Sequence, residues 1–149
     1  MIKDSGNRRQ FHSGAVRDMA VGKGRCDLIP LEEMAIFVDA PRNFSVLNSL
    51  GEFQKDKEEK HIIEAMKIFI AEHYDNNPCT AFLELAKHFE EGARKYGVNN
   101  WQKGIPEWCY LDSAVRHYLK FKRGDKDEPH NRAFLWNLIC LLWTLRKNF

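Results

Sequence analysis

The stretch AFLWNLICLLW, Ala133 to Trp143, is apolar at every position except Asn137. It is read as the middle of a helix from His130 to about Lys147, with Pro129 just before or at its first position, where proline is tolerated. Even extended to Leu145, the run falls short of the ~20 residues that a membrane span needs. It therefore predicts the buried helix of a soluble protein. An amide in such a place has two donors and two acceptor lone pairs to satisfy, and leaving them unpaired costs about 1–3 kcal/mol. Either the fold supplies partners for Asn137, or the amide looks into a polar site.

Working outward, three more helical patterns precede this one. A helix covers roughly Glu107 to Arg123 and closes at Gly124. Before it, Phe82, Leu85, Phe89, Ala93 and Tyr96 form one stripe, with Thr80 as the expected N-cap and Gly97 as the stop. Earlier still, Ile62, Met66, Phe69 and Ile70 follow helical spacing until "DNNP" (75–78) ends the pattern. A short helix opens at Pro30 in "LIPLEEMAIFVD". The segment "APRNFSVLNSLGEF" has no assigned structure, and "QKDKEEK" is a charged run. The first thirty residues show little periodicity and are read as an extended or loop segment. No strand-like alternation stands out, so the fold class is all-α, with a C-terminal unit of three or four helices.

Composition narrows the function classes. With 149 residues, 44% hydrophobic and 30% charged, the chain suits one domain, or a domain plus an appendage. A net charge of +2 gives no electrostatic case for nucleic acid. The first thirty residues are locally basic, with Lys3, Arg8, Arg9, Arg17, Lys23 and Arg25, although Lys3, Arg8 and Arg9 have the look of a solvated tail. Cys26, Cys79, Cys109 and Cys140 form no CxxC pair, which suggests reduced thiols and a cytoplasmic protein. "MIKDSGNRRQFHSGAV" has no apolar core of a signal peptide.

Placed on these helices, the polar residues cluster. His130 and Asn137 lie two turns apart on one face, with Asp127 and Glu128 just upstream. The preceding helix carries Ser113 and His117 one turn apart, and likewise Asp112 and Arg116. The helix before that carries Glu90, Glu91, Arg94 and Lys95 near its end. Packed antiparallel, such helices bring carboxylates and imidazoles together, a set suited to Mg²⁺ or Mn²⁺, beside basic groups suited to phosphate. Each element also has an ordinary reading. Asp127 and Glu128 sit where a helix N-terminus favours acids, and Asp112–Arg116 is a routine i, i+4 pair. A lone His117 is commonly structural, and Asn137 could simply fix helix register.

Four segments add a resemblance: "SGAVRDMAVGKGRCDLIP" (13–30), "LAKHFEEGARKYGVNNWQKGIP" (85–106), "YLDSAVRHYLKFKRGDKDEPH" (110–130) and "AFLWNLICLLW". In this order they resemble the phage-type dATP/dGTP diphosphohydrolase family, itself similar more distantly to the all-α MazG-like pyrophosphohydrolases. The resemblance implies a MazG-like helical bundle with a loop-rich N-terminal segment. It also implies a single domain over 1–149 with an insertion at about 40–79, acting as a lid, an oligomerisation element or an inert addition. The MazG-like ExxE and ExxD pairs are absent: "DSAVRH" stands at the first position, and Asn137 stands where the last Asp is expected.

The implied reaction is metal-dependent hydrolysis of a purine dNTP to dNMP and pyrophosphate, adjusting the pool for phage replication. The implied metal ligands are Glu90, His117, Asp127 and His130, with Mg²⁺ or Mn²⁺ as cofactor. Glu90 and Glu128 are the catalytic carboxylates, Glu128 being the reserve ligand or water activator. Lys95, Arg116, Lys120 and Arg25 would hold phosphates. Tyr96, Asn100 and Trp101 would hold the base, and Asn137 would orient His130 or contact a metal-bound water. The expected partner is the small-molecule substrate, with no nucleic acid or membrane, and a homo-oligomer is expected. A non-catalytic nucleotide-binding module, or a phage–host interaction protein, is the alternative.

Overall fold

In the computed structural model, residues 5, 7–11, 14–18, 21–39 and 45–147 are described. Lys3 and residues 40–44, which open the expected insertion, lie outside them. Two short strands, β1 (Arg8–Gln10) and β2 (Val16–Asp18), precede six helices: α1 (Leu31–Val38), α2 (Val46–Asp56), α3 (Glu59–His73), α4 (Pro78–Tyr96), α5 (Glu107–Arg123) and α6 (His130–Lys147). The all-α reading holds, and the last two helices begin and end where the sequence placed them.

The apolar run is the middle of α6, which packs against α3, α4 and α5 at once. A helix enclosed on three sides needs apolar residues around most of its circumference, so an ordinary one-sided stripe would not serve. Phe134 meets Phe69 of α3 at 4.6 Å and Tyr118 of α5 at 5.3 Å between ring centroids. Leu135, Leu138, Cys140 and Leu141 are buried with them. The α3 stripe is buried inside this chain, with Ile62, Ala65, Phe69 and Ile70 all in the core.

Three expectations change. The unassigned segment before the charged run forms α2, which Ser45 caps by accepting the Asn48 N–H at 3.2 Å. Thr80 does not cap α4. That helix starts earlier because Pro78 fits its first turn, and Asn77 accepts the Thr80 N–H instead. The basic N-terminal segment, read as extended or loop with no strand pairing, contains an antiparallel hairpin that pairs Arg9 with Arg17. Its turn is closed by Phe11 N–H to the Ala15 carbonyl and Gly14 N–H to the Phe11 carbonyl, with Gly14 at φ +88°. Strands of three residues are too short to leave a readable alternation in sequence.

Candidate functional site

A cavity of about 790 Å³ opens between the hairpin, α4, the short 3₁₀ turn at Asn100–Lys103, α5 and α6. That is within the ~300–1,000 Å³ range of small-molecule sites. The face of α5 that lines it is one stripe: Cys109, Asp112, Ser113, Arg116, His117 and Lys120. The stripe is about 16 Å long at the helical rise. At its start, the Tyr110 hydroxyl donates to the Trp101 carbonyl at 3.2 Å. This ties α5 to an aromatic wall in which Trp101 meets Phe89 edge-on at 5.5 Å and Phe89 lies 6.0 Å from Trp136. Tyr96 and the buried Asn100 complete that wall.

Towards the other end of the stripe, imidazoles and carboxylates meet. His117 Nδ1 lies 2.9 Å from His130 Nδ1, and His130 Nε2 lies 2.7 Å from Asp127 Oδ1. The Asp127 carboxylate keeps a proton on His130 Nε2, so Nδ1 of a neutral His130 carries a lone pair aimed at His117. Two nitrogens that close need a proton or a cation between them. Glu128 Oε1 stands 3.9 Å from His117 Nδ1. Burial, then the neighbouring His130, pushes the His117 pKa well below its ordinary value, so this imidazole is neutral. Ligand atoms of His117, Glu128 and His130 lie within 4.8 Å of one another, as do those of Asp125, Asp127 and His130. Neutral imidazole and carboxylate are the donors a divalent ion takes, and the residues present fit one.

The cavity is also cationic. Arg9, Arg17, Lys23, Arg116 and Lys120 line it against Asp18, Asp112 and Glu128. Asp112 holds Arg116 through contacts of 2.7 and 2.8 Å from Nη2, and the same nitrogen donates to the Gly24 carbonyl at 2.6 Å. Asp112 also accepts the Cys26 N–H, so this pair anchors the N-terminal segment to α5 as well as forming an i, i+4 bridge. Four buried side-chain nitrogens have no hydrogen-bond partner among the described residues: Arg9 Nε, Arg17 Nη1, Arg116 Nε and Trp136 Nε1. Every one is a donor, and every one belongs to the cavity lining.

Of the residues singled out in the sequence, Tyr96, Asn100, Trp101, Arg116, His117, Lys120, Glu128 and Asn137 line the cavity. His130 and Asp127 back His117. Three others stand elsewhere. Glu90 is exposed on the outer face of α4, where it pairs with Arg94 at 3.1 Å, because the inward face of α4 is the one carrying His88, Phe89, Gly92, Ala93 and Tyr96. The neighbouring Glu91 pairs with Arg132. Arg25 is spent on Asp27, through two 2.8 Å contacts, and lies over the Trp108 ring at 3.8 Å. Lys95 sits on the last turn of α4, outside the lining.

Asn137 donates to the Ala133 carbonyl at 2.9 Å and accepts from Arg17 Nη2 at 3.1 Å. It does not orient His130; Asp127 does. The amide in the apolar run thus faces a polar site and holds an arginine from the other end of the chain. Arg9, read as part of a solvated tail, lines the cavity instead. Arg17, Lys23 and Trp136 were not singled out as site residues; for the two cations the one available signal was the local basic excess before residue 30, and only the hairpin turns that excess inward.

Fold and site together define an all-α protein with a donor-rich, cationic cavity beside a cluster of potential metal ligands. The chain belongs to the dATP/dGTP diphosphohydrolase family: the model described as "dATP/dGTP diphosphohydrolase, N-terminal" matches residues 52–149. The matched part includes α3 to α6; the hairpin and α1 precede it. The family's name is that of a hydrolase of deoxynucleoside triphosphates. No curated protein and no solved structure matches. Among the described residues, no helix is long and apolar enough to cross a membrane.

Proposed function

We propose that the protein hydrolyses a purine deoxynucleoside triphosphate to the monophosphate and pyrophosphate with the help of Mg²⁺ or Mn²⁺. The observation that carries this reading is the convergence, on one cavity, of phosphate-seeking cations, an aromatic wall and the His117–Glu128–His130 cluster. His117, Glu128 and His130 would hold the metal, with Asp127 fixing the His130 ring. The ion supplies Lewis acidity to the phosphates and offsets their charge.

The chain's own groups do the rest. Glu128 would take the proton of the water that attacks the α-phosphorus, as the bond from that phosphorus to the α–β bridging oxygen breaks. Arg116, already fixed by Asp112, and Lys120 neutralise charge growing on the departing pyrophosphate. Tyr96 and Trp101 present faces to the purine, while the Asn100 amide can read its edge, a form of discrimination stronger than shape alone.

The test is a panel of dNTPs and NTPs with Mg²⁺ or Mn²⁺ and chromatographic identification of products. Monophosphate and pyrophosphate from dATP or dGTP are expected. Diphosphate and orthophosphate would overturn attack at the α-phosphorus, and no turnover with any substrate would remove the hydrolase reading.

A further inference from the structure

The hairpin carries an arrangement that folding alone does not explain. Arg9 and Arg17 are direct cross-strand partners, and like charges so placed oppose strand pairing. Both line the cavity, and each has a buried nitrogen with no partner among the described residues. Desolvation, the larger cause, and the charge of Arg9 both lower the Arg17 pKa, although Tyr110 and Cys109 act against them. The Arg17 guanidinium lies 5.3 Å from the Tyr110 ring centroid and 6.0 Å from that of Trp136, and Asn137 holds one of its terminal nitrogens. These contacts aim the fork but leave its other terminal nitrogen unused. A buried donor left unmet is costly, and one unmet donor on each of two adjacent guanidiniums is matched by a ligand rich in anionic oxygen.

We infer that the hairpin is a polyphosphate clamp in which Arg9 and Arg17, the latter aimed by Asn137, grip the phosphate chain of the ligand together with Arg116. This rests on the triphosphate reading above and extends it to residues that precede the family-matched segment. It gives the N-terminal segment a binding role and makes Asn137 a positioning residue for Arg17. Trp136, whose indole N–H is the remaining unmet donor in this part of the wall, donates to the same ligand.

The experiment compares full-length wild type with Arg9→Gln, Arg17→Gln and Arg17→Lys. Inorganic tripolyphosphate is titrated calorimetrically in EDTA, and melting temperature and dGTP turnover with Mn²⁺ are read on EDTA-free aliquots of the same preparations. Each Gln variant is expected to weaken tripolyphosphate binding at least tenfold without lowering the ligand-free melting temperature. Arg17→Lys, which keeps charge but loses the planar fork, is expected to weaken it too. If a Gln variant fails to fold, Arg17→Lys and the remaining variant decide. Wild-type turnover with variants that bind tripolyphosphate as wild type does would overturn the clamp and leave the hydrolase standing. Arginine-dependent tripolyphosphate binding in a wild type that turns over no dNTP would keep the clamp and remove the hydrolase. No tripolyphosphate binding by wild type would overturn the clamp.

Discussion

Two buried polar networks sit on α5, and they differ in one respect. Towards α1 and α2, Asp39 accepts from the Ser45 hydroxyl at 2.5 Å, the Leu47 N–H at 3.0 Å and the Tyr118 hydroxyl at 2.5 Å. Neither Asp39, Ser45 nor Tyr118 is left with an unmet buried side-chain atom. Desolvation and the Asp39 bond both push the Tyr118 pKa up, keeping the phenol a donor. On the opposite side, Arg17, Arg116 and Trp136 are held in place yet keep donors in hand. A closed network spends all its hydrogen bonds on the fold. An open one, whose unmet groups are all donors, is organised for something that arrives from outside. Local rules of consistency tend to be broken at functional sites, and among the described residues the break is confined to the cavity.

The contrast predicts that variants separate into two classes. The largest effect is expected at His117, where His117→Gln should lower kcat for dGTP by about 10²–10⁴-fold, the range for losing a group at the reacting centre. Its melting temperature should stay near wild type, as circular dichroism would show. Asp39→Ala should do the reverse. It strands the Tyr118 hydroxyl and two other donors, at an expected loss of roughly 3 kcal/mol in urea unfolding, with nucleotide affinity per folded molecule unchanged. If Asp39→Ala abolished binding in folded protein, the division between the networks would collapse.

A third prediction concerns pH. His88 is buried, accepts from Arg132 Nε at 3.4 Å and is held down to about 3, by desolvation first and Arg132 second. The unfolded chain takes up this proton near the ordinary histidine value of about 6.5, before the folded one does, so stability falls as pH drops below that value towards the folded one. Between pH 7 and pH 5 this histidine should remove roughly 2 kcal/mol. Urea melts of wild type and His88→Gln at both values measure it, and an equal loss in the two proteins would reject the assignment. The smallest effect is expected at the α4 cap, where Asn77→Ala should cost about 1 kcal/mol and leave turnover alone.

How much of this was legible in sequence depended on range. α5 and α6 were readable to the residue because their periodicity and their Gly124 and Pro129 boundaries are local signals. So was the pairing of helix faces that puts His117 beside His130. Glu90 was misplaced because Glu90 and Glu91 are adjacent acids on one turn, and only packing decides which points inward; here neither reaches the cavity. Arg9 and Arg17 were invisible as a pair. Their alignment depends on a hairpin turn and on contact with α6, a separation of 120 residues for Arg17 and Asn137. The question raised by one amide in an apolar helix was well posed in sequence, but its partner was not nameable there.

The central claim, that the open network awaits a purine deoxynucleoside triphosphate, is tested most directly by titrating a non-hydrolysable α,β-imido dGTP into the wild-type protein with Mn²⁺. Calorimetry would report stoichiometry, and tryptophan emission would report on Trp101 and Trp136. The account predicts one site per chain, a change in emission and competition by tripolyphosphate. Absence of binding heat, or binding that leaves the tryptophans unchanged and ignores tripolyphosphate, would contradict it.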